Sequence, residues 1–262
     1  MKAFIVFATI LVIGARAQAR ADWNSTITAS NPMNWYRFNE ASGSVAVDYG
    51  SAHSNGTYGT GLLDAARGVP GPIGKGVQFG NQSTVILGQP DLTGNWSAEF
   101  VLERIGEKRS SVLIRGFPYA VPSTALKLEQ YNSTEQIGFT QYNVSDYTFS
   151  PSVPTPLNQW VDIVYVNRAG SGMSLYLDGV LVGTNPTSIS LSRYQIGSDA
   201  DVIPESPLMN IDAAVIYDRA LSPTEIALHA AAVPEPSTFF LAAVAVCILL
   251  AHGRRNAQIS GT

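Results

Sequence analysis

The sequence predicts an all-β protein: an antiparallel β-sandwich closed by one short helix near its C-terminal end. Three observations carry that expectation. Short apolar or alternating runs succeed one another between residues 34 and 217, punctuated by turn formers, with 23 glycines and 15 prolines in a chain of 262 residues. Asp178-Gly179 stands between the apolar runs MSLYL and VLV, the pair that a two-residue hairpin turn with positive φ at both positions demands. Ser222-Pro-Thr-Glu225 precedes Ile226 and a run of alanines, which gives an N-cap, a proline at the first helical position and a capping box.

Taken in chain order, the first element is not part of the sandwich. Met1-Lys2 brings one positive charge, residues 3–13 (AFIVFATILVI) are apolar, and small residues follow. That is the three-part pattern of a secretory signal peptide. Ala-x-Ala sites end at Ala17, Ala19 and Ala21, and cleavage is expected after Ala21, leaving residues 22–232 as one exported domain. Strands are then expected at 34–38, 77–79, 84–87, 96–102, 112–114, 126–131 and 137–142. In the run WSAEFVL, Trp96, Ala98, Phe100 and Leu102 share one face, which places Glu99 and Glu103 together on the other, solvated one. The run VDIVYV at 161–166 is nearly continuous and β-branched, as in a strand covered on both sides. Strands at 173–177, 180–182 and 212–217 complete the set, and the helix runs from its cap at Ser222 to about residue 232, with His229 on its surface.

The domain must hold together by burial alone, since the only cysteine, Cys247, lies in the tail. Between residues 22 and 232 there are 11 lysines and arginines against 19 aspartates and glutamates, with no basic stripe, which argues against nucleic-acid binding. Beyond residue 232 the character changes. Residues 239–251 (FFLAAVAVCILLA) carry no charge and are apolar on every face, and Pro234 and Pro236 break them away from the domain. At ~1.5 Å per residue the run covers only about 20 Å, so it makes a short or tilted membrane span. Arg254 and Arg255 would hold its far end in the cytoplasm.

The tail from Val233 to the chain end resembles the PEP-CTERM sorting signal. The Pro234-Glu235-Pro236 triplet, the apolar helix and the basic pair Arg254-Arg255 occur in that order. The resemblance implies an exosortase-type protease as partner, in Gram-negative bacteria that make extracellular polysaccharide. It also implies export to the cell envelope, anchorage in the membrane by the apolar helix, and release to the surface or matrix after cleavage. The present chain departs from the pattern in continuing for seven residues after the arginines.

The domain itself resembles the laminin-G-like group of the concanavalin A-like lectin/glucanase superfamily, a jelly-roll fold. Three blocks carry the likeness: Trp35-Tyr-Arg-Phe-Asn-Glu-Ala-Ser-Gly43 with Val47-Asp48 and Asn55-Gly56-Thr57-Tyr58; Trp160 to Val166 leading to Leu175-Tyr-Leu-Asp-Gly179; and Ile211-Asp212 through Ile226. The family commonly has Glu where this chain has Ala213, so any contact made by that carboxylate is missing here. Trp35, Trp96 and Trp160 match the family's core strands and are expected as packing residues.

The resemblance implies a module that binds extracellular polysaccharide or a matrix protein. A structural matrix protein without specific ligand and a glycan-processing enzyme are the two other classes. Glucanases on this scaffold carry Glu-x-Asp-x-x-Glu on one strand, and no such triplet occurs, so no catalytic residue is assigned. Related sandwiches hold Ca²⁺ with aspartates and loop carbonyls; Asp48, Asp199 and Asp201, in Gly/Ser/Asn-rich loops, are the candidates, and aspartates that merely organise turns would look the same. For ligand contact the candidates are Tyr142, Tyr147 and Phe149, aromatic residues among Asn, Ser and Asp, a composition suited to sugar stacking and equally to an edge strand.

Overall fold

The structure is a computed structural model and describes residues 22–59, 61–62, 66–116, 123–131, 135–198 and 205–234. The signal-peptide segment, Asp199, Asp201, Glu235, Pro236, residues 239–251, Arg254 and Arg255 all lie outside the described residues. Among the described residues no helix is long and apolar enough to cross a membrane.

A short helix that the sequence reading does not foresee comes first, α1 (Trp23–Ala29), with the Asp22 carboxylate accepting from the Ser25 N–H. Strands β1 (Asn34–Tyr36), β2 (Val45–Ala46), β3 (Gly56–Tyr58), β4 (Arg67–Pro70) and β5 (Lys75–Phe79) follow. The long strands β6 (Thr84–Leu92) and β7 (Trp96–Arg104) lead to β8 (Ser111–Arg115), β9 (Thr124–Glu129), β10 (Gly138–Gln141) and β11 (Ser145–Thr148). The second half holds β12 (Trp160–Arg168), β13 (Gly172–Leu177), β14 (Val180–Asn185), β15 (Leu191–Gly197) and β16 (Met209–Tyr217) before helix α2 (Pro223–Ala232).

The strands form two antiparallel sheets. The first runs β14-β13-β12-β7-β16-β5-β4, with β1 also paired to β16; the second runs β11-β10-β9-β8-β15-β6-β3-β2. Their inner faces meet in one core. Trp96, Phe100, Ile163, Tyr165 and Ile216 from the first sheet pack against Leu113, Leu126, Phe139 and Ile196 from the second. Polar bonds cross this interior where indole, phenol and guanidinium groups would otherwise be buried without partners. Trp96 Nε1 donates to the Ile189 carbonyl (2.9 Å), Tyr165 Oη to that of Lys127 (2.9 Å), and Arg104 Nη1 to Glu129 Oε1 (2.9 Å).

Local chemistry fixes the turns where the sequence indicates them. Asp178 and Gly179 take φ of 47° and 81°, the doubly positive turn expected between β13 and β14. Helix α2 crosses this turn so closely that a Cβ on Gly179 would stand 3.0 Å from that of Ala230. At the start of α2, Ser222 and Glu225 close the reciprocal capping box.

The outer face of the first sheet corrects the sequence reading in three places. Val101, Val164, Val215, Tyr217 and Trp35 make a second apolar layer, and α1 and α2 cover it with Trp23, Ile27 and Ile226. Glu99, expected in solvent, is fully buried beneath those helices. His229, expected on the helix surface, is buried too, with Nδ1 2.8 Å from Glu99 Oε2 and Nε2 2.7 Å from Ser30 Oγ. Trp160 is a packing residue of this outer layer and only half-buried, because β12 turns Val161, Ile163 and Tyr165 inward and Trp160 outward.

That division sets unequal costs for the tryptophans. Trp96→Ala, which empties a fully buried, hydrogen-bonded site, is expected to destabilise the domain by about 3–5 kcal/mol. Trp160→Ala should cost only about 1–2 kcal/mol, since part of its surface is already wet. Urea unfolding of both variants checks the order; an equal or larger loss at Trp160 would contradict the assignment of the layers.

Candidate functional site

No described helix covers the outer face of the second sheet, where alternation presents polar side chains instead. On β9 the inward residues are Leu126 and Leu128, so Lys127 points outward. Register carries the same face across the sheet: Thr140 of β10 pairs with Ala125 of β9 and with Asp146 of β11, and Arg115 of β8 pairs with Ala125 and with Gln195 of β15. Glu205, on the segment leading into β16, lies over this face, pinned through its carbonyl by the Val112 N–H (2.8 Å).

Lys127 and Glu205 form a buried ion pair, with Ser110 Oγ 2.9 Å from Lys127 Nζ and 2.8 Å from Glu205 Oε1. The other carboxylate oxygen of Glu205 faces Arg115 Nη1 at 3.6 Å and the Tyr142 hydroxyl at 3.4 Å. Burial tends to raise the Glu205 pKa, but the Lys127 ammonium and its hydrogen bonds outweigh it and hold the carboxyl below its ordinary value. Burial lowers the pKa of Lys127, with Glu205 opposing. The Tyr142 ring completes the group, its centroid 5.1 Å from the Arg115 guanidinium and 5.9 Å from Lys127 Nζ. Beside it opens a shallow cleft of about 320 Å³ lined by Lys127, Tyr131, Thr140, Tyr142, Asp146 and Glu205. Such a surface offers hydroxyl and amide groups, one half-exposed aromatic face and, at its floor, a carboxylate held ionised by the buried ammonium.

The three aromatic candidates separate. Tyr142 lines this cleft. Tyr147 is half-buried and stacks on Phe139, its register partner, at 4.9 Å, facing the core. Phe149 is a correction: it is 3% exposed in the core, 5.6 Å from Phe139 and 6.1 Å from Tyr165, with no face left for a ligand. A hairpin across β10 and β11 alternates its side chains, so Tyr147 faces inward and Asp146 outward.

Asp48 also corrects its expected role. Its Oδ1 accepts from the N–H groups of Trp35 (2.7 Å) and Gly50 (2.8 Å), and its Oδ2 from Asn34 Nδ2 (2.8 Å) and the Ser54 N–H (2.8 Å). Those four donors occupy the lone-pair positions that a calcium ion would need, and the carboxylate organises the turn after β1. Among the described residues no three His, Cys, Asp or Glu side chains are gathered as for a metal. The sequence reading missed Lys127, Glu205, Arg115 and Thr140; its only local signal was a lysine set between leucines in a strand.

Two facing antiparallel sheets with this strand order define a β-sandwich of the jelly-roll class. The chain belongs to the concanavalin A-like lectin/glucanases superfamily, whose laminin-G-like model matches residues 79–227, more than half of its length. No curated protein sequence matches it. Among solved structures it is similar to a Trypanosoma rangeli sialidase in complex with 2,3-difluoro-KDN, with TM-score 0.54, 15% identity, and 77% of this chain and 32% of that one covered. The binding domain of Paraclostridial Mosquitocidal Protein 1 is similar with TM-score 0.52, 14% identity, and 77% and 52% covered. The chain thus spans about a third of the sialidase and half of the toxin domain, and the likeness is one of fold.

Removing the ammonium leaves Glu205 buried opposite Arg115 alone, so Lys127→Met is expected to cost about 3–5 kcal/mol at neutral pH. The folded carboxyl of the parent is more acidic than the unfolded value of 4.5, so its stabilisation is present above that value and lost as pH falls below it. Denaturation curves of parent and variant should therefore converge toward acid pH, and Lys127→Met with Glu205→Gln should recover part of the loss. A pH-independent gap would show that packing, not charge, is what Lys127 supplies.

Proposed function

We propose that the protein is an exported, non-catalytic binding module for extracellular polysaccharide, delivered to the cell envelope by its C-terminal tail. The observation that carries the reading is the polar outer face of the second sheet, where Tyr142 stands beside the Lys127–Glu205–Arg115 group on a lectin-superfamily fold. Sugars are held by ring stacking on an aromatic face together with hydrogen bonds to fixed charged and amide groups, and this cleft offers both. Glu205 is held ionised, which suits an acceptor of sugar hydroxyls and not a proton donor to a leaving group. The tail resembles a sorting signal, and it follows α2, which ends at Ala232 with Val233 as its C-cap.

A glycan array probed with the protein is expected to retain a restricted set of polysaccharides, and Tyr142→Ala should weaken that binding about tenfold, or ~1.4 kcal/mol. Retention unchanged in the variant would exclude this cleft. Retention of nothing would favour a structural matrix protein, and release of reducing ends would reveal a glycan-processing enzyme.

For the tail, Pro234, Glu235 and Pro236 are read as a cleavage tag and residues 239–251 as the anchor. Replacing the triplet with alanines is expected to leave the protein membrane-inserted and uncleaved in cells carrying an exosortase-type protease. Deleting the apolar run should release it as a soluble exported protein. Normal processing of the alanine variant would reduce the triplet to a linker.

A further inference from the structure

On the opposite sheet, away from the polar cleft, the edge of α2 leaves a second opening of about 300 Å³. Val101, Trp160, Asp162, Asp178, Val233 and Pro234 are among its walls, and no described residue lining it carries a positive charge. Asp162 is 2% exposed, yet neither carboxylate oxygen has a hydrogen-bond partner. Buried polar groups in folded proteins are almost always paired, and an unpaired one calls for a reason. Asp178 adds a second carboxylate at the exposed rim: its Oδ1 accepts the Asp162 N–H at 3.0 Å, and its own N–H donates to the Asp162 carbonyl at 2.9 Å. Trp160, half-buried beside them, supplies an aromatic face.

We propose that this opening binds a small protonated amine, its ammonium received by Asp162 and Asp178 and its carbon frame laid against Trp160 and Val101. Each component meets a need of the site: the ammonium supplies the donors that Asp162 lacks, and a cation beside an indole gains further attraction. The volume admits a single sugar ring or a short alkyl chain, so an amino sugar and a linear amine share the required chemistry.

Protonation gives an independent handle. Burial, then the charges of Glu99 and Asp178, raise the Asp162 pKa well above its ordinary value. The titratable groups facing it are Glu99 on β7, Asp178 in the β13–β14 turn and Tyr217 on β16, with His229 of α2 reaching it only through Glu99. An ammonium arriving beside Asp162 favours the ionised carboxylate, so whatever proton Asp162 holds at the working pH is released on binding.

The test uses the full chain in neutral detergent, titrated calorimetrically at about pH 6 in buffers of different ionisation enthalpy. Glucosamine and cadaverine are the probes, with glucose and 1-pentanol as their neutral counterparts. At least one amine is expected to bind about tenfold or more tightly than its counterpart, with net proton release. Preference for glucosamine assigns an amino sugar, and preference for cadaverine a linear amine. Asp162→Asn should abolish the proton release and most of the affinity while melting no lower than the parent, because it replaces an unpartnered buried acid with a neutral isostere. Should that variant fail to fold, Asp178→Asn on the exposed turn is expected to weaken binding severalfold. Equal binding of amines and neutral counterparts, binding of both amines unchanged in the aspartate variants, or no detectable amine binding would overturn the proposal.

Discussion

The chain of contacts from Ser30 through His229 to Glu99 is the constraint around which the fold is arranged. Two of its members come from opposite ends of the domain: Ser30 caps α1 and His229 belongs to α2. Glu99 stands on β7, between β12 and β16 in the first sheet. A seven-residue helix such as α1 cannot persist alone in water, so it exists only where Trp23 and Ile27 find an apolar floor. Val101, Val164, Val215 and Tyr217 provide that floor, and the imidazole fixes where both helices sit on it. Tyr217 stacks on the imidazole with centroids 6.1 Å apart, and Trp23 meets Trp35 edge-on at 6.0 Å. A buried polar contact of this kind adds little net stability compared with an apolar isostere. Its value lies in register: a helix shifted by one residue would leave Glu99 without its partner.

Roofing one sheet determines what the other can do. The helices cover much of the outer face of the first sheet with apolar side chains, leaving an opening at the edge of α2, whereas no described helix covers the polar outer face of the second. Its side chains are held from both sides. Tyr165 reaches through the core to the Lys127 carbonyl, while the Lys127 ammonium faces outward to Glu205 and Ser110. Arg104 likewise passes between the layers to Glu129. Contacts of this kind restrict the rotamers of the polar side chains, and rotamers already restricted lose less entropy in any further contact.

Much of this was legible in the sequence where the signal is local. The Asp178-Gly179 turn, the Ser222–Glu225 capping box and the doubly covered run at 161–166 each follow from a few adjacent residues, and each stands where expected. What failed depended on distant partners. Residues 191–197 read poorly as a strand because Arg193 and Gln195 interrupt the apolar pattern, although both are buried; Arg193 is satisfied by Asn34 and the Pro90 carbonyl. Helix α1 is rich in Ser, Thr and Asn, with only Asp22 as a start signal, and tertiary burial overrides that poor propensity. Alternation along β7 does set Glu99 opposite Phe100, but alternation alone carries no sign of a second layer above Glu99. Lys127 and Glu205 are 78 residues apart, and no spacing rule joins them.

Two buried aspartates differ in how their burial is compensated. Asp48 and Asp162 are 3% and 2% exposed, and each lies in or beside a strand of ordinary sequence. Asp48 accepts four N–H donors, so its burial is compensated and it serves as the keystone of a turn. Asp162 accepts none, and leaving a carboxyl in that state costs about 1–3 kcal/mol. Valine at the same position would extend the apolar layer formed by Val101, Val164 and Val166 without that cost. Asp162 therefore costs the fold stability at the wall of an opening that also holds a second carboxylate and an indole, which is the contrast with Asp48 on which the amine proposal rests.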